Sequence, residues 1–162
     1  MLGRNLTLKV VALLSAFILW QPVAGRAADK ETLGLAEAVG GYAGGLLYDV
    51  YLGMSDLESA LSAGGKDSVA AIQIKRHLGS LNVVSGFDKK LRPLFSGDKT
   101  MVAFLDKLMA TADELRGEGE ALIAFTKSGS PAELKTAKEK KEAARALIIP
   151  LMGLPDNRDI VP

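Results

Sequence analysis

The sequence has no cysteine and only one histidine among its 162 residues, and each scarcity closes off chemistry. Without cysteine there is no disulfide scaffold, thiolate metal site, c-type haem attachment or cysteine nucleophile. One imidazole is too few for a zinc hydrolase, and no Glu-x-x-His pair is present for a di-iron carboxylate bundle. No serine lies in a nucleophile elbow, and Gly40–Gly45 is followed by no Gly-Lys-Ser/Thr, so it is not a phosphate loop. Net charge is also scarce: 20 Lys and Arg stand against 19 Asp and Glu, which gives little self-repulsion, and 48% hydrophobic residues suit a globular chain. Nothing alternates apolar and polar residues for long enough to indicate a sheet.

What is present begins with a targeting pattern. Arg4 and Lys9 precede the apolar run Val10 to Trp20, followed by Pro22 and small residues, the order of a secretory signal peptide. The run is about half the ~20 residues that a membrane-spanning helix needs. Gly25 and Ala27 fit small-x-small cleavage after Ala27, with Val23 and Gly25 as a competing site. Removing residues 1–27 leaves 17 basic against 19 acidic residues, so the mature chain carries −2. Export without cysteine suits a bacterial periplasm or exterior better than a eukaryotic secretory route. Membrane contact is then expected only through an uncleaved signal segment, and the mature charge disfavours nucleic acid.

Residues 28–155 read as one all-α domain, an antiparallel up-down-up-down four-helix bundle, followed by a tail over 156–162. Leu35, Val39, Ala43, Leu46, Val50, Leu57 and Leu61 trace the first apolar stripe, ending at Gly64 and Gly65. Asp67 or Ser68 begins the second, with Ala70, Ile74, Leu78, Leu81, Val84, Leu91 and Phe95; Pro93 limits or kinks its last turn. Asp98 caps the third, with Met101, Leu105, Leu108, Ala112, Leu115, Leu122 and Phe125. Ser130, Pro131 and Glu133 form a capping box for the fourth, whose stripe is Leu134, Ala137, Ala144, Ile148 and Leu151. Lys135, Lys138, Lys140, Lys141 and Arg145 of this helix alternate with Glu139 and Glu142, the pattern of a solvated face.

Three groups of residues are candidates for more than folding. Gly40, Gly41, Gly44 and Gly45 form two overlapping G-x-x-x-G pairs, each glycine costing about 1 kcal/mol against alanine in a helix. Folding back around Gly64 places Gly86 opposite them, for close helix packing or a slot for a flat ligand or partner helix. The second group surrounds His77, which falls on the apolar stripe. Met54, Gly119 and Lys141 project to about its height, and His with Met is a ligand set for haem iron or copper. A core histidine satisfied by a hydrogen bond is the alternative, so no cofactor is assigned. The third is the C-terminal run Ile148, Ile149, Leu151, Met152 and Leu154, wider than one stripe and interrupted by Pro150. It either packs over the open bundle end near Gly44 and Gly86 or forms a patch for a partner or self-association.

Together these features indicate an exported, non-catalytic helical bundle, a periplasmic accessory or protein-interaction factor whose partner is an envelope protein or a second copy. The alternative is a small-ligand, haem or metal carrier with an interior site around His77.

Overall fold

A computed structural model describes residues 30–64 and 68–155, which are all-helical with no strand among them. The expected signal segment 1–27, the tail 156–162 and the Asp67 cap lie outside the described residues. Four helices follow in order: α1 (Lys30–Ser62), α2 (Ser68–Leu91), α3 (Lys99–Ser128) and α4 (Pro131–Met152). Each consecutive pair packs together, α3 against α4 most extensively, and α1 also packs on α3 and α4, consistent with a four-helix bundle. None of these helices is long and apolar enough to cross a membrane.

The helices form where the sequence periodicity places them. In α2, Ala70, Ile74, Leu81, Val84 and Leu91 are buried, and in α3 Met101, Leu105, Leu108, Ala112, Leu115 and Leu122 are buried. In α1 the most buried line is Leu47, Tyr51, Met54 and Leu61, whereas Leu46 and Leu57 are only half-buried. Ala43, Val50 and Leu61 of the expected stripe are buried, so the inward face is turned only partly, by roughly 60°, away from Leu46 and Leu57. Large Tyr51 and Met54 side chains fill the centre in their place.

The junctions explain where helices stop. Asp98 has extended backbone, and its carboxylate accepts from the Thr100 and Met101 N–H groups at 2.9 and 3.0 Å, so the third start is capped as expected. Gly64, Gly129 and Gly153 have positive φ, the conformation that suits glycine at a helix end. Ser130 differs from expectation. Its side chain makes no cap hydrogen bond, and the first turn of α4 is closed by the Glu133 and Leu134 N–H groups donating to the Ser130 carbonyl at 3.1 and 3.4 Å. Pro93 limits α2 as expected, the helix ending two residues before it, whereas Pro150 acts more mildly than expected, α4 running through it to Met152. Beyond α2, Arg92 donates to Asp88 (Nη2 to Oδ1, 2.7 Å) and to Asp106 (2.8 Å), tying the turn to α3. These two carboxylates hold the Arg92 guanidinium well above its ordinary value.

Candidate functional site

Five of the sequence candidates lie at close helix contacts, and they are not gathered in one place. A Cβ added at Gly44 would lie 2.8 Å from the Met152 sulfur, so the α1 glycine admits a side chain of α4. At Gly53 a Cβ would run into the His77 ring, whose imidazole therefore lies directly on the α1 backbone. At Gly119 it would meet Met54 Cε at 2.7 Å and Leu78 Cδ2 at 2.8 Å. By contrast, a Cβ at Gly41, Gly45 or Gly86 would meet nothing within 4 Å. The expected close approach of Gly86 to the α1 glycines is thus replaced by the Met152 contact at Gly44 and by an edge-to-face pair of Tyr42 and Phe87, 5.8 Å between ring centroids. Gly40 is buried.

His77 is half-buried rather than central. It lines an open groove of about 470 Å³ with Gly53, Asp56, Leu57, Gln73 and Arg76, between α1 and α2. Met54 instead points its methyl group into the core at Gly119. Among the described residues no group of three or more His, Asp or Glu side chains is arranged to hold a metal ion.

The C-terminal run is not an exposed patch. Ile148 and Met152 are buried, and Ile149, Leu151 and Leu154 are partly buried against the core. The wide apolar surface is consumed by packing over the end of the fold where Gly44 leaves room for Met152.

The least expected cluster is polar and internal. From α1 come Tyr51, Ser55 and Glu58, from α3 comes Glu118, and from α4 come Lys141 and Arg145; Tyr51 and Glu118 are fully buried, Ser55, Glu58 and Arg145 nearly so. Lys141 Nζ lies 2.7 Å from Glu58 Oε2, and Lys138 reaches the other Glu58 oxygen from outside at 3.9 Å. Neither oxygen of Glu118 has a hydrogen-bond partner. Burial pushes the Glu118 carboxyl up to about 8, with the Glu58 charge adding to the rise and Lys141 opposing it. Burial also raises the Tyr51 hydroxyl above its ordinary value, an effect opposed by Ser55 and Arg145 and reinforced by Glu142 and Glu118.

Lys141 and Arg145 therefore do not belong to the solvated face expected of α4. One turn apart, they fall on the α4 face that meets α1, while Lys135 pairs with Glu139 at 3.8 Å outside. Just beside the cluster, the Lys140 stem covers Gly117, where a Cβ would meet Cδ at 3.1 Å, and its ammonium pairs with Glu114 at 3.0 Å.

A signal for this cluster exists in the sequence. Glu58 stands four residues after Met54 and three before Leu61, Glu118 three after Leu115 and four before Leu122, and Arg145 three before Ile148. Charged residues in phase with an apolar stripe are buried by the same periodicity that buries leucine. Chemically, the cluster holds one buried carboxyl whose neutral form is favoured by burial, beside an ion pair that spans two helices.

No protein-family model matches the chain, no curated protein matches it, and no solved structure matches it.

Proposed function

We propose that the chain is an exported, non-catalytic helical protein that binds an envelope or periplasmic protein partner, or a second copy of itself. The observation that carries this reading is the placement of exposed apolar side chains on α2. Val69, Ile72 and Val83 are 48%, 54% and 43% exposed. At ~100° per residue they fall within about 60° of one another around the helix. Exposed Tyr42 of α1 extends the surface beside Phe87. Exposed β-branched residues on one side of a helix, with Arg76 among them on the same side, suit a mixed apolar and polar protein contact. The partner surface is thus read on α2 in place of the buried C-terminal run.

Export is supported by the charged, apolar and small-residue order of Met1–Ala27, and a bacterial periplasm or exterior by the lack of cysteine. An up-down-up-down order of the helices is supported by paired contacts that run in opposite directions: Tyr42 with Phe87 and Gly53 with His77 between α1 and α2, Leu78 with Gly119 and Arg92 with Asp106 between the α2 side and α3, and Gly44 with Met152 and Glu58 with Lys141 between α1 and α4.

Native mass spectrometry of the protein isolated from its own envelope tests the reading, with an Ile72→Lys/Val83→Lys variant beside it. The expected result is an added protein chain on the wild type, lost from a variant that melts at the same temperature. A small-molecule adduct lost in His77→Ala would favour a ligand carrier using the groove beside His77, and a bare monomer would contradict partner binding.

A further inference from the structure

In the buried polar cluster two carboxyls share one ammonium, while the second buried cation, Arg145, acts on Tyr51. Glu58 of α1 and Glu118 of α3 are both inside, 4% and 0% exposed, and one ammonium, that of Lys141 of α4, acts on both. That ammonium forms an ion pair with Glu58 Oε2 at 2.7 Å, and both Glu118 oxygens lack a hydrogen-bond partner. A buried carboxylate without a partner is strongly disfavoured, so the arrangement holds only while Glu118 carries a proton.

We propose that Glu118 is a proton-controlled latch on α1: protonated, it leaves Lys141 to clamp α1 to α4 through Glu58; ionised, it sets a second carboxylate against the same ammonium and loosens α1.

Each element around Glu118 brings charged, titratable or apolar groups to its level. α1 brings Glu58 and the Tyr51 hydroxyl, and α4 brings Lys141, with Arg145 one turn further acting on Tyr51. α2 packs at this level with Leu78, which lies against Gly119, and its imidazole at His77 sits against Gly53 instead. Only Lys141 favours the ionised form of Glu118, and Glu58 disfavours it.

The direction of the response follows from linkage. A carboxyl with a raised value in the closed form binds its proton more tightly closed than open, so the closed form is favoured fully below the ordinary glutamate value of 4.5. As pH rises from there to about 8, the open fraction grows, by about tenfold per pH unit, and it levels off above. The part released is the segment of α1 bearing Tyr51, Ser55 and Glu58.

Two measurements on the chain test this. Carbon-detected NMR of labelled glutamate carboxyls is expected to show one glutamate titrating near 8, absent from Glu118→Gln, and to show that midpoint falling by at least one pH unit in Glu58→Gln, where Lys141 is freed for Glu118. Amide exchange across residues 51–61, corrected for the intrinsic pH dependence of exchange, is expected to rise about tenfold per pH unit up to pH 8 in wild type and to stay level in Glu118→Gln. A Glu118 midpoint near the ordinary value, an unchanged midpoint in Glu58→Gln, or equal pH dependence in both proteins would overturn the latch. The wild-type titration and its displacement in Glu58→Gln decide the matter without requiring Glu118→Gln to fold.

Discussion

At one end of the core the helices meet through hydrocarbon alone: Leu47, Leu81, Val84, Leu105, Leu108, Ile148 and Met152 are buried together. Further along the same helices, Tyr51, Ser55, Glu58, Glu118, Lys141 and Arg145 occupy equivalent inward positions. The apolar end draws stability from area removed from water and is indifferent to pH. The polar level contributes less, because desolvation offsets much of the attraction between its charges. What it supplies is a specific pairing across helices and a response to protons. The two regions share one period in sequence, so they differ in chemistry and not in placement.

That contrast can be broken by substitution. Leu81→Ala or Leu105→Ala, at the apolar end, is expected to lower stability by about 2–5 kcal/mol through the cavity each leaves. Urea unfolding should give the same loss at pH 5 and pH 8. Lys141→Met is expected to cost about 3 kcal/mol, since Glu58 would keep only the distant Lys138 as an ionic partner. Glu58→Met combined with Lys141→Met should recover most of that loss, a coupling a double-mutant cycle measures.

Smaller effects sharpen the packing side. Gly53→Ala drives a methyl group into the His77 ring and is expected to destabilise by about 1 kcal/mol, overpacking outweighing the gain in helix propensity. Gly86→Ala, where the added carbon meets open space, is expected to stabilise by roughly 0.5–1 kcal/mol. Thermal melts of the pair check both signs. A destabilised Gly86→Ala would show that the two backbones approach there after all.

The helices were legible because apolar spacing, Asp98 and the stop glycines all pointed to the same boundaries. Met54 and Gly119 fell at one level by simple projection along the helices, and the structure brings them together. The missed features have physical reasons. In α1 the spacing picked out Ala43, Val50 and Leu61, which are buried, but passing over Tyr51 and Met54 put Leu46 and Leu57 inside, where they are only half-buried. Treating charge as a sign of exposure put Lys141 and Arg145 outside and left Glu58 and Glu118 unread, although all four keep step with neighbouring apolar residues. The C-terminal run looked too wide for one stripe because hydrophobicity alone does not show that Met152 has a place to go at Gly44.

The most direct measurement is the melting of wild type and Glu118→Gln from pH 5 to pH 9. Wild-type stability is expected to fall as pH rises toward about 8, with a slope of roughly 1.4 kcal/mol per pH unit at most, while Glu118→Gln stays nearly level. Parallel curves for the two proteins across that range would contradict a proton held at the centre of the core.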